Sequence, residues 1–334
     1  MQNTTISATV DFAAQGIQHG FLKLPHSHDK SAWGCIMIPI TVINNGAGPT
    51  ALLTGGNHGD EYEGITCLLK LANSLKPEAI KGRVIIVPAM NYPAVLNGSR
   101  TSPIDNGNLN RAFPGNPSGT ITQRIADYFT RYLVPLCDYA LDIHSGGKTL
   151  NFLPFAASHH LDDPQQQKTN AQGALAFDAP NSMMMFELDA TSLYDTVVEA
   201  QGKVFVTTEI CGAGTSTPES IAMTDKGIHN FLVFADILQA QLISAKQPPR
   251  QLDMPDADCY MQSEHQGILE MCFSLGDTIE SQELVARIYS LERTGEAPVE
   301  YYAKRSGILA ARRHCSLINI GDTFAVLAEE VLNR

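Results

Sequence analysis

Ala51-Leu-Leu-Thr-Gly-Gly-Asn-His-Gly-Asp-Glu61 is an apolar run that stops at paired glycines and then presents a histidine and two acids. Residues 51–54 are too few and too apolar for a surface helix and read as a buried strand. After Gly59-Asp60, the positions Ile65, Leu68, Leu69, Ala72 and Leu75 follow a helical stripe, with acids in the first turn where the helix dipole favours them. The stretch is therefore a strand, a tight turn and a helix. His58 and Glu61, three residues apart, can aim at one point from such a turn. An imidazole nitrogen and a carboxylate oxygen are what Zn²⁺ accepts, and the glycines let the backbone bend closely around it. A phosphate loop has the same outline, but Asp60 and Glu61 would repel the anion and no Gly-Lys-Ser/Thr follows. A cation belongs at this turn.

Three more segments read as buried strands: Val84–Pro88, Tyr139–Ile143 and Val204–Thr208. Helical patterns lie between them, one covering about Ile121 to Leu133. Strands alternating with helices predict an α/β fold, with a central mixed, largely parallel sheet flanked by helices. At Lys246-Gln-Pro-Pro-Arg-Gln-Leu-Asp-Met-Pro255 the pattern changes to a proline-marked connection, which divides the chain into residues 1–247 and 248–334. In the second part, Gly267-Ile-Leu-Glu270 with Leu275-Gly-Asp277 recurs as Gly307-Ile-Leu-Ala310 with Ile320-Gly-Asp322. That repeat resembles the two halves of a biotinyl/lipoyl (barrel-sandwich) fold, so a small C-terminal β-domain is expected.

A catalytic zinc needs a third protein ligand and an open position. Asp142-Ile-His144-Ser-Gly-Gly147 offers His144 at another strand end, and alternation puts Asp142 on the same face, where it can orient the imidazole from behind. Carboxyl ends of strands are where open α/β sheets place their sites. Thr208-Glu-Ile-Cys-Gly-Ala-Gly214 puts a carboxylate, Glu209, at a fourth strand end, where it can relay a proton beside zinc. The long polar loop Asn91–Gly115 carries Arg100, Asn110 and Arg111. One arginine can polarise a carbonyl; the other, with Asn110, can grip a carboxylate.

Gly-Gly-Asn-His-Gly-Asp-Glu, Asn-Leu-Asn-Arg-Ala-Phe-Pro-Gly and Asp-Ile-His-Ser-Gly-Gly together resemble the succinylglutamate desuccinylase/aspartoacylase family, a branch of the zinc carboxypeptidase-like fold, over about residues 50 to 235. Within it the chain is similar to the branch that deacetylates N-acetyl-L-2,4-diaminobutyrate. The resemblance implies one zinc per chain on His58, Glu61 and His144, and a general base at Glu209. It also implies a carbonyl-polarising Arg100, a substrate-carboxylate pair at Asn110 and Arg111, and a C-terminal β-domain over the mouth of the site. The implied activity is hydrolysis of the amide of a small N-acyl amino acid, and a homo-oligomer is a family-level expectation. Ile210-Cys211 depart from the plainer glycine run expected after the base. Tyr301 and Tyr302 are the candidates for the family's C-terminal substrate-binding tyrosine. A zinc carboxypeptidase acting on peptides is the rival enzyme. A non-catalytic carrier is the rival of another class, though its hairpin tip, Ser290–Gly295, holds no lysine.

The remaining composition narrows the field. In 334 residues, 44 % hydrophobic and 17 % charged, a sizeable core is expected. A net charge of −12 disfavours nucleic acid and anionic membranes as partners. The seven cysteines form no Cys-x-x-Cys pair and read as reduced thiols in a cytoplasm. No apolar run approaches the ~20 residues of a membrane span, and the first residues lack the pattern of a signal peptide. His26, His28, His159 and His160 are expected to be solvated, and Met183–Phe186, which could line the acyl pocket from its place between His144 and Glu209, to pack in the core instead.

Overall fold

The computed structural model describes residues 4–188 and 190–331. Four strands form its centre, in the order Arg83–Val87, Thr50–Gly55, Tyr139–His144, Val204–Glu209, all mutually parallel. Each lies within a residue of its expected place. They are Val/Ile/Leu-rich because both faces are covered: helix Tyr62–Ser74 packs on one side with Pro218–Phe234, and Ile121–Tyr128 lies in the cluster on the other. The second expected helix ends its α-helical part at Tyr128 and continues as a π-turn, Phe129–Leu133.

The sheet is mixed. Phe155–His159 joins Val204–Glu209 antiparallel, then Asn181–Met185 and Arg250–Met254 follow in parallel. At the other end, Gly16–Pro25 and Cys35–Asn44 make an antiparallel hairpin. Pro39 sits inside that second strand without breaking the ladder, because the strand's other edge pairs with Arg83–Val87 only from Thr41 onward.

The proline-marked connection contains strand Arg250–Met254, which lies between Asn181–Met185 and the last strand, Thr323–Glu330. One sheet thus runs through the connection into the C-terminal part. There the repeated glycine segments start two strands, Gly267–Met271 and Gly307–Arg313, in different sheets. The apolar side chains of those sheets, among them Leu269, Ile288, Leu309 and Phe324, share one cluster. Leu150–Phe152, just past His144, pairs with Gly307–Arg313 and ties this part to the end of the central sheet. Among the described residues no helix is long and apolar enough to cross a membrane, and all seven cysteines are free.

The turn after Thr50–Gly55 depends on a close approach. A Cβ on Gly59 would lie 2.0 Å from the Ala94 carbonyl carbon in helix Tyr92–Asn97. Gly59→Ala is therefore expected to destabilise the fold by about 1–3 kcal/mol, the usual cost of overpacking, or more. Urea unfolding measures it; a midpoint equal to that of the parent chain would show that the turn has room to spare.

Candidate metal centre and active site

Strand register assembles the site. Thr54 lies beside Asp142, and Glu209 beside His144, on neighbouring parallel strands. The turn carrying His58 and Glu61, the histidine His144 and the acid Glu209 therefore emerge at the same sheet edge from three adjacent strands. The Thr54 hydroxyl donates to Asp142 Oδ1 at 2.7 Å, which locks the register at the level of the site.

Glu61 lies between two imidazoles. Its Oε1 is 2.7 Å from His58 Nδ1 and its Oε2 is 2.9 Å from His144 Nδ1. All three residues are buried, and one ligand atom from each lies within 4.8 Å of the others. The outward nitrogens are held from behind. His144 Nε2 is 2.7 Å from Asp142 Oδ2, which also accepts from Asn57 Nδ2 at 3.0 Å. His58 Nε2 is 3.2 Å from Asn108 Oδ1. With both outward nitrogens donating to oxygen, the inward Nδ1 lone pairs converge on the same carboxylate. A divalent cation reconciles such a set of acceptors, and two imidazoles plus one carboxylate is a donor set that fits zinc. Burial pushes the His58 pKa down, whereas at His144 the Asp142 and Glu61 carboxylates outweigh burial and hold the pKa well above the usual imidazole value, a pull for positive charge between the rings.

Glu209 is half-buried at the strand end, and its Oε2 has no hydrogen-bond partner. Burial, then the nearby Glu61 carboxylate, push its carboxyl up to about 8. Arg100 Nη1 stands 3.3 Å from His58 Nδ1 and 3.6 Å from Glu61 Oε1, with half of its side chain exposed. A cavity of about 320 Å³ opens beside these groups, and its lining brings together His58, His144, Asp142, Arg100, Asn110, Arg111 and Glu209. Asn110 and Arg111 lie on a 3₁₀ turn, Leu109–Arg111. Asn110 Oδ1 accepts from the Tyr194 backbone N–H at 3.0 Å, which fixes the loop against the opposite wall.

That wall holds residues that no sequence signal pointed to. Glu187 and Asp195 line the cavity, as does Tyr260 of the C-terminal part, whose hydroxyl donates to the Phe186 carbonyl at 2.9 Å. Tyr301 and Tyr302 stand elsewhere: Tyr301 Oη is 2.7 Å from His265 Nδ1 and Tyr302 donates to Glu300 at 2.6 Å, and neither reaches the cavity. Of these three tyrosines, Tyr260 is the one that lines the cavity. His159 is a second correction. It is buried against Glu199, whereas its neighbour His160 is exposed, because strand alternation turns adjacent histidines to opposite faces. Of the methionines, Met183 packs in the core as expected, while Met185 lines the cavity. Cys211 follows Glu209 with φ 58°, and its carbonyl accepts from the Gly146 and Phe152 N–H groups.

A sequence profile of the succinylglutamate desuccinylase/aspartoacylase catalytic domain matches residues 47–235. The N-alpha-acetyl-L-2,4-diaminobutyric acid deacetylase of Halomonas elongata is 61 % identical over 326 residues, 98 % of this chain and 95 % of that protein. Among solved structures, the product-bound ectoine utilization protein EutE (DoeB) of Ruegeria pomeroyi superposes with a TM-score of 0.95 at 52 % identity, covering 98 % of this chain and all of that one. A succinylglutamate desuccinylase of Silicibacter sp. gives the same TM-score at 53 % identity, covering 99 % of this chain and all of that one. A match over more than half of the chain, with relatives this similar along nearly all of it, shows that the chain belongs to the succinylglutamate desuccinylase/aspartoacylase family.

Proposed function

We propose that this chain is a zinc-dependent deacylase of a small N-acyl amino acid, with N-α-acetyl-L-2,4-diaminobutyrate as its substrate. One observation carries the reading: three buried ligand atoms converge at one end of a cavity that also holds an unpartnered carboxylate and two arginines. Zinc, one per chain, would be held by His58, Glu61 and His144, and there it supplies Lewis acidity that brings the pKa of water toward ~7 and polarises the acyl carbonyl. Asp142 keeps the His144 ring oriented through Nε2. Glu209, with Oε2 unpartnered, takes the proton of the attacking water and later delivers it to the leaving amine. Arg100 donates to the acyl oxygen as negative charge develops on it. Asn110 and Arg111 hold the substrate's α-carboxylate.

Two units divide this work. Residues 1–247 carry the chemistry. Residues 248–334, a β-domain of barrel-sandwich kind built on the two repeated halves, close the cavity with Tyr260, Ala310, Thr323 and Val326. A cavity of this size, walled in part by the C-terminal strands, suits a small substrate better than a peptide chain, which disfavours the carboxypeptidase alternative. The hairpin tip without a lysine removes support for a carrier. The free cysteines agree with a cytoplasmic protein.

Zinc-loaded protein is expected to hydrolyse N-acetyl amino acids and to leave C-terminal residues on peptides. Arg111→Ala should raise KM for the N-acetyl amino acid substrate far more than it lowers kcat. Release of C-terminal residues from peptides, with N-acetyl amino acids untouched, would overturn the deacylase reading.

A further inference from the structure

Glu187 and Asp195, which line the same cavity as the converging ligands, cluster with a third residue, His159. Ligand atoms of Glu187, Asp195 and His159 all lie within 4.8 Å of one another. His159 and Asp195 are buried, and Glu187, which lines the cavity, keeps about a fifth of its side chain exposed. His159 Nδ1 donates to Glu199 Oε1 at 3.1 Å, and the same oxygen accepts from Asn170 Nδ2 at 3.0 Å. Burial opposes a charge on this ring, but the Glu199 hydrogen bond and the Asp195 carboxylate outweigh it and push its pKa up to about 10. The imidazolium charge is thus matched by Glu199. Its Nε2 makes no hydrogen bond and points at Glu187 Oε1 from 3.6 Å. Two carboxylates remain, Glu187 and Asp195; Arg111 is the further cation that acts on Glu187 and the Thr196 hydroxyl donates to Asp195, so the acids outnumber the cations by one. Burial and the Asp195 charge push the Glu187 carboxyl up to about 7, a sign of the same imbalance.

We propose that Glu187 and Asp195 form a subsite for the ammonium group on the side chain of the substrate amino acid, so that the enzyme selects a cationic side chain. This rests on the deacylase reading given above and adds to it the residues that choose the amine. An ammonium nitrogen about 2.8 Å from two acceptors along tetrahedral N–H directions sets those acceptors about 4.6 Å apart. One carboxylate oxygen of Glu187 and one of Asp195 lie within 4.8 Å of each other, a spacing compatible with that geometry. A guanidinium needs a flat, two-pronged partner on one carboxylate; a compact ammonium satisfies two separate ones. Position agrees with charge. Asn110 accepts from the Tyr194 N–H, so the carboxylate grip and Asp195 are joined through one backbone step. A substrate held by its α-carboxylate at Asn110 and Arg111 has a two-carbon side chain's length with which to place an ammonium on the wall. The same pair of acids repels a side-chain carboxylate, so N-acetylaspartate and N-succinylglutamate are excluded by charge rather than by size.

The test compares N-α-acetyl-L-2,4-diaminobutyrate with N-acetyl-L-norvaline, which has the same shape and a methyl in place of the ammonium, on the zinc-loaded full chain. The parent is expected to favour the cationic substrate, mainly through KM. Glu187→Gln and Asp195→Asn should each shrink that preference roughly 10- to 100-fold, the worth of a charge-assisted hydrogen bond. Calorimetry of free L-2,4-diaminobutyrate against L-norvaline gives the same comparison without turnover, and the melting temperature of each variant shows that it folds. A parent that hydrolyses both substrates equally well, or variants that lose both equally, would overturn the subsite while leaving the deacylase reading intact. A parent that hydrolyses neither would take down both. A second equivalent of zinc or manganese, held by the parent and lost in both variants, would reassign His159, Glu187 and Asp195 to a metal.

Discussion

Glu209→Gln is expected to lower kcat by roughly 10²–10⁴-fold while zinc content and substrate KM stay near those of the parent, because general-base catalysis contributes about that much. The substitution keeps the side chain's volume and removes only its capacity to accept a proton. Glu209 Oε2 has no hydrogen-bond partner among the described residues, so its replacement leaves no buried donor stranded there. The strand that carries it is fixed by register to His144, and the ladder does not depend on the side chain. Single-turnover kinetics with metal analysis on the same sample check the expectation. Near-full turnover at one zinc per chain would remove Glu209 from the proton relay, and loss of zinc would move it into the ligand set.

Glu61→Gln should have an effect of a different kind, losing the metal itself. Glu61 meets His58 with one oxygen and His144 with the other, and also accepts from the Ser145 N–H at 3.2 Å. An amide offers one oxygen and an NH₂ that would face an imidazole lone pair. Removing an outer partner of a metal ligand costs 10–100-fold in metal affinity or activity, so Asp142→Asn sets the lower bound and Glu61→Gln should exceed it. Elemental analysis after dialysis against a weak chelator measures both variants. The parent's melting temperature should rise on adding zinc and that of Glu61→Gln should not, since only a state that binds the metal gains from it. Tight retention of one zinc by the glutamine variant would exclude Glu61 as a ligand.

Legibility along the chain followed how local each signal was. The strand–turn–helix of residues 51–75 was readable because apolar run, glycines and helical stripe are contiguous, and its boundaries hold in the structure. The N-terminal hairpin carried less contrast, since Cys35–Asn44 is apolar nearly throughout and contains a proline that only its half-unpaired edge accommodates. The C-terminal tyrosine could not be picked from the sequence. Tyr260, Tyr301 and Tyr302 are alike as residues, and only Tyr260 lies on the strand that pairs with Thr323–Glu330 at the cavity wall.

By itself, then, the sequence determined the parallel four-strand centre and the two histidines and the acids that end its strands, because period, run length and glycine turns act over a few residues. Only the tertiary structure decided what stands opposite them. Glu187, Asp195, Tyr260 and the buried His159 come from a strand end, a helix, a β-strand of the C-terminal part and an antiparallel insertion. No spacing along the chain encodes their meeting. Their proximity follows from strand order and register, which are settled by burying apolar faces far apart in sequence.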